Sequence, residues 1–197
     1  MIFQGIVLIL FAYLFGSIPT GVILSRSWGK IDIRNQGSGN IGATNVYRTL
    51  GKKLGVLTLL GDVFKGMIPV TMAIWLLGSE GWISLTILSA FIGHIYPIFL
   101  KFRGGKGVAT ALGTFVLISP WAILLSFLVF AGVIYKWRYV SLASLTAAVT
   151  LPIWIALFPY SKTYIIAGVI VAILIVYKHQ DNIMRLLRGE ESKAGKE

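Results

Sequence analysis

The chain has 197 residues, 56% of them hydrophobic and 13% charged, with a mean hydropathy of +0.82. A soluble domain carries about a quarter charged residues, so water is excluded as the main solvent and an all-α integral membrane protein is expected. The net charge of +11, from 18 Lys and Arg against 7 Asp and Glu, reads in so apolar a chain as the basic bias of cytoplasmic loops, not as a nucleic-acid footprint. The absence of cysteine excludes disulfides and thiolate metal sites.

A helix needs about 20 apolar residues to cross the hydrocarbon. The first candidate runs from about Ile2 to Leu24 and is interrupted by Gly16-Ser17-Ile18-Pro19-Thr20-Gly21. It lacks a basic leader and a small-residue cleavage motif, and so reads as a retained helix. A polar stretch from Ser25 to Lys53 follows. Further spans are predicted at about Leu54–Leu77, Trp82–Leu100, Val108–Ile118, Pro120–Tyr135, Tyr139–Leu157 and Thr163–Tyr177. These make about seven transmembrane helices, the fourth of them short, in a single polytopic membrane domain over 1–197. The polar tail, from about 190 to 197, is expected to fray.

With the N-terminus outside, strict alternation places sixteen of the 18 Lys and Arg on the inner side. They fall in 26–53, 101–106, 136–138 and 178–196, while Lys162 is outside and Lys65 lies within a span. Adding or losing one crossing would destroy that bias, so the charges predict seven crossings and a cytoplasmic C-terminus.

Three polar segments fall on that inner face. In Gly37-Ser38-Gly39-Asn40-Ile41-Gly42-Ala43-Thr44-Asn45-Val46-Tyr47-Arg48, Asn40 is read as the N-cap of a short helix ending before Gly51. A helix start offers free N–H groups to a phosphate. Gly37 and Gly39 allow close approach, Ser38 adds a hydroxyl and Arg48 a two-point donor. The plainer alternative is a re-entrant turn. In Lys101-Phe102-Arg103-Gly104-Gly105-Lys106-Gly107-Val108-Ala109-Thr110 a glycine loop with Lys106 again leads into a helix. It is not a P-loop, because Leu100 and Gly107 stand where Gly and Ser or Thr belong. Its plainer alternative is a basic turn against anionic headgroups. In Lys178-His179-Gln180-Asp181-Asn182, His179 and Asn182 are three apart and are expected on one helix face.

Within the spans, Asp62 and Lys65 are either functional or neutralise each other, and His94 is expected to pack between helices. No metal is expected, since only His94 and His179 are present and the carboxylates are scattered. Gly37, Gly39, Asn40 and Thr44, with Gly104, Gly105 and Gly107, are the candidate phosphate-binding positions.

These motifs, together with Gly61-Asp62, Lys65-Gly66, Gly93-His94 and Arg185-Leu186-Leu187, resemble the bacterial acyl-phosphate:glycerol-3-phosphate acyltransferase (PlsY) family over essentially the whole chain. The resemblance implies a seven-helix enzyme of the bacterial inner membrane, active on its cytoplasmic side. It implies transfer of a fatty acyl group from acyl phosphate to the 1-hydroxyl of glycerol 3-phosphate, giving lysophosphatidic acid and phosphate, without acyl-CoA. The positions that carry function correspond to Ser38, Arg48, Lys106 in its glycine loop, His179, Asn182 and Glu191. Asp62, Lys65 and Glu191 are taken as structural or supporting. No cofactor is expected, because an acyl phosphate is already activated, and the chain is expected to be a monomer. A His-x-x-x-x-Asp acyltransferase motif is lacking, Phe99 and Met184 standing where Asp would be needed. An anion transporter would show pseudo-symmetric halves, and no repeat is evident. A lipid-binding scaffold would not need several charged motifs.

Overall fold

A computed structural model describes residues 2–195. Among them are ten α-helices, two 3-10 turns and no strand. The chain divides into two compact units, Met1–Thr114 and Phe115–Glu197.

The first unit opens with α1 (Ile2–Gly16) and α2 (Thr20–Ser27). They are separated because Pro19 has no N–H to give and disfavours helical geometry at Ile18. After the 3-10 turn Ile33–Asn35 come α3 (Ala43–Leu50) and α4 (Lys52–Leu76), joined at Gly51 in a left-handed conformation (φ 83°). α5 (Glu80–Ile95) runs into a second 3-10 turn, Ile98–Leu100. Lys101 and Phe102 then adopt positive φ and reverse the chain towards α6 (Val108–Phe115).

Within this unit α5 packs on α1 and α4, and α3 on α4. α6 meets α4 along a seam of close backbone approach. A Cβ on Gly66 would overlap the Thr110 carbonyl, and one on Gly113 the Val63 carbonyl. Small residues permit such backbone approach where lipid supplies no hydrophobic drive between helices.

The second unit is an antiparallel run of α7 (Pro120–Trp137), α8 (Val140–Leu157) and α9 (Lys162–Lys178), followed by α10 (Gln180–Leu187). Pro120 starts α7, where its missing N–H costs nothing. Small residues of α8 (Ala143, Ser144, Ala148) and of α9 (Ala167, Ala172) are buried. α9 and α10 meet at a 59° bend.

Five helices among the described residues are long and apolar enough to cross a membrane: Ile2–Ser27, Lys52–Leu76, Glu80–Leu100, Pro120–Trp137 and Val140–Leu157. Counted as one span, the bent pair α9–α10 makes a sixth. Large apolar side chains such as Phe3, Leu10, Trp75 and Phe127 point outward, as lipid-facing residues do. The expected fourth span differs. α6 has eight residues, about 12 Å of helix, because Phe115 to Ser119 tightens into a turn before Pro120.

Candidate active site

The Gly37–Arg48 segment is organised from one buried side chain. Asn45, on the first turn of α3, accepts from the Ser38 N–H through Oδ1 at 3.0 Å. Its Nδ2 donates to the carbonyls of Ile33, Gln36 and Asn40 at 3.3, 3.0 and 2.9 Å. Beneath it Val22, Ile33, Ile41 and Val46 form an apolar cluster. Gly37 and Gly39 have φ of 55° and 69°, the left-handed region that favours glycine. A Cβ on Gly37 would also overlap Asn45 Oδ1. Ser38 and Thr44 are exposed, and Arg48 is half-buried in the last turn of α3.

Asn40 does not cap α3, correcting that expectation. Gly42 is the cap, and Asn40 Oδ1 accepts from the Gly42 N–H at 2.8 Å. A short amide side chain readily bonds the backbone two residues on, so Asn40 closes the preceding turn instead. Asn45 was missed as the organiser. Its signal was a buried-pattern Asn between Ile41 and Val46, a residue that disfavours helix interiors unless its side chain has local work.

Just upstream, Asp32 binds Arg26 and Arg34 at 2.7 and 2.6 Å. Hydrogen bonds from Arg34 and then Arg26 hold its carboxyl well below the usual carboxylate range. These charged groups tie α2 to the turn that leads into Gly37.

The second glycine segment lies on the C-terminal end of α5. The Gly105 N–H donates to the His94 carbonyl at 3.2 Å, so it is used internally. The first N–H groups of α6 have, as in any helix, no intrahelical acceptor. Gly107 has φ 85°, and a Cβ there would overlap the Phe91 ring. Lys106 stands half-buried between these two glycines. Behind the turn, Lys65 and Asp62 pair at 2.8 Å, so these two buried charges do neutralise each other.

In the second unit His179 is the junction of α9 and α10. It and Asn182 therefore do not share a face of one continuous helix, as the spacing had suggested. His179 Nδ1 lies 2.8 Å from the Ile175 carbonyl. A carbonyl only accepts, so Nδ1 carries a proton and donates. Asn182 Nδ2 donates to Glu191 Oε1 at 2.7 Å, Ser141 Oγ to the same oxygen at 2.6 Å, and Arg185 Nε to Oε2 at 2.8 Å. Burial pushes the Glu191 carboxyl up, but the bonds from Ser141, Arg185 and Asn182 with the Arg185 charge outweigh it, and it stays below its ordinary value. The Ala194 N–H also donates to the Arg138 carbonyl at 2.6 Å. The tail thus makes a backbone hydrogen bond at Ala194. Lys196 and Glu197 lie outside the described residues.

Ser38, Arg48 and Lys106 belong to the first unit, His179, Asn182 and Glu191 to the second. Among the described residues no three His, Asp or Glu side chains are placed to share a metal ion.

Residues 6–189 match the family model described as glycerol-3-phosphate acyltransferase. The glycerol-3-phosphate acyltransferase of Geotalea daltonii is 54% identical over 187 residues, covering 95% of this chain and 96% of that one. The enzyme of the same description from Aquifex aeolicus is 44% identical over 191 residues, covering 96% and 99%. Among solved structures, the glycerol 3-phosphate form of PlsY (YgiH), an integral membrane glycerol 3-phosphate acyltransferase, superposes with a TM-score of 0.94 at 44% identity, covering 98% of this chain and 96% of that one. Its lysophosphatidic acid form gives a TM-score of 0.90 at 42% identity, with the same coverage.

Proposed function

Because the chain belongs to the glycerol-3-phosphate acyltransferase family, we propose that it moves a fatty acyl group from acyl phosphate to the 1-hydroxyl of glycerol 3-phosphate. Lysophosphatidic acid and inorganic phosphate are the products. The observation that carries this is the likeness, over 98% of the chain, to PlsY in forms described by the acceptor substrate and by the acylated product. Two glycine-rich helix starts, with Arg48 in the last turn of α3 and Lys106 just ahead of α6, suit a reaction whose two substrates are both phosphate anions.

The acceptor hydroxyl attacks the acyl carbonyl, the new ester C–O bond forms, and the bond to the phosphate oxygen breaks. The departing phosphate takes the hydroxyl proton, so no protein nucleophile or cofactor is required. Ser38 stabilises the developing oxyanion, a contribution of about 3–4 kcal/mol for a well-placed donor. Arg48 and Lys106 hold phosphate oxygens. His179 and Asn182 orient glycerol 3-phosphate, while Glu191 fixes Asn182.

The basic bias supports an N-terminus outside, a cytoplasmic C-terminus and chemistry on the cytoplasmic side of the bacterial inner membrane. In that arrangement α6 and the turn after it form the fourth crossing, which an eight-residue helix achieves through local thinning of the bilayer or cover by protein. The protein acts as a monomer. The test is to incubate purified protein with palmitoyl phosphate and glycerol 3-phosphate and to follow phosphate release. Release dependent on glycerol 3-phosphate, with lysophosphatidic acid formed, is expected; no release defeats the proposal.

A further inference from the structure

Asp62, Lys65 and His94 are buried in the first unit and take no part in the transfer described above. Lys65 Nζ lies 2.8 Å from Asp62 Oδ1 and donates to the Ile18 carbonyl at 2.9 Å. The Asp62 and Lys65 side chains are each 4% exposed, and His94 is 3% exposed. Charges at that depth are expensive, and pairing answers the cost. Pairing alone, however, does not account for what Lys65 and His94 touch.

Lys65 closes the break in the first span. The Ile18 carbonyl at that break accepts from the Thr20 N–H at 3.1 Å and from Lys65 Nζ. One side chain therefore ties α4 to the α1–α2 junction. On α5, His94 Nδ1 faces the same carboxylate oxygen at 3.8 Å, and its other ring nitrogen faces the glycine turn. A Cβ on Gly105 would overlap His94 Nε2, and one on Gly104 would overlap the His94 carbonyl. That carbonyl also accepts the Gly105 N–H. The turn is thus seated on His94 through both its ring and its backbone, and the ring is backed by a charge pair anchored to two further elements.

Resting on the acyl-transfer proposal, we infer that Asp62, Lys65 and His94 are positioning residues. They hold the Gly104–Gly107 turn, and with it Lys106, in the place a substrate phosphate requires. None of them touches substrate. Gly104 and Gly105 are glycines because the His94 seat leaves no room for a side chain, a demand separate from phosphate contact.

The experiment compares full-length wild type, G105A, H94A, the double variant H94A/G105A, and D62N/K65M, which removes both charges together at similar shape. Each is assayed for phosphate release from palmitoyl phosphate with glycerol 3-phosphate, and each is melted thermally. G105A lifts the turn off its seat and raises KM for a phosphate substrate about tenfold or more. H94A vacates the space that the new Cβ needs, so H94A/G105A regains several-fold of that loss. D62N/K65M raises the same KM about fivefold, with kcat within about twofold and an unchanged melting midpoint. A double variant no better than G105A overturns the seat, as does a folded D62N/K65M with both KM values unchanged. Should D62N/K65M fail to fold, the rescue of G105A by H94A decides alone. A wild type that releases no phosphate overturns the acyl-transfer proposal itself, whereas an active wild type with unresponsive variants overturns only this inference.

Discussion

The Ser38 backbone N–H donates to Asn45 Oδ1 at 3.0 Å, so the exposed hydroxyl-bearing turn hangs from a buried amide one turn into α3. Asn45→Ala strands that N–H and the carbonyls of Ile33, Gln36 and Asn40. It is expected to cost about 2–4 kcal/mol of stability, and to lower kcat/KM about a hundredfold by displacing Ser38. Thermal unfolding and steady-state phosphate release on the same preparation check both. A stable variant with full activity would remove Asn45 from the account.

Ser38→Ala tests the hydroxyl apart from the turn that carries it. Loss of an oxyanion donor lowers kcat about 10²–10³-fold with little change in KM. A hydroxylamine-sensitive acyl adduct on Ser38 would show instead that the serine is a covalent carrier.

His179→Ala separates orientation from base catalysis. The Nδ1–H is committed to the Ile175 carbonyl, which fixes the orientation of the ring. KM for glycerol 3-phosphate is expected to rise while kcat at saturation is largely retained. Near-total loss of turnover at unchanged KM would make His179 the base.

Glu191 gives a pH signature. Its carboxyl is held below its ordinary value in the folded chain, so the folded state binds that proton less readily than the unfolded one. The stabilisation is therefore complete above the ordinary glutamate range of about 4.5, and is lost as pH falls through the lowered folded value. Melting midpoints of wild type and Glu191→Gln should converge as pH falls from 6 towards 3. Parallel curves would show that the carboxylate contributes nothing.

Gly113→Ala probes the close seam between α4 and α6. The added Cβ would overlap the Val63 carbonyl, and the forced separation is expected to cost about 1–3 kcal/mol. An unchanged thermal midpoint would show that the seam can open freely.

The long apolar runs made the spans legible to within a few residues, as with Leu54–Leu77 against Lys52–Leu76. Hydropathy could not register that Phe115 to Ser119 tightens into a turn, which is why α6 is shorter than the apolar run. The glycine segments stood out by composition, yet which side chain holds each was hidden. Asn45 reaches residues up to twelve positions away, Ser141 bonds Glu191 from fifty away, and Lys65 reaches Ile18 across 47. Contacts of that range leave no local periodicity. The bend at His179 was equally silent, because Lys178 to Asn182 is compatible with an unbroken helix.

The seam that brings α6 onto α4 also works as a ruler. A slip of one helical turn, about 5.4 Å, would bring Ala109 or Leu117 to the place where only the hydrogen of Gly113 fits against Val63. α6 therefore has one register along α4, and the position of Lys106, just ahead of α6, is set by the protein rather than by the lipid. In a thicker or thinner bilayer the surrounding lipid deforms or the protein tilts, while the cation keeps its level relative to the rest of its unit.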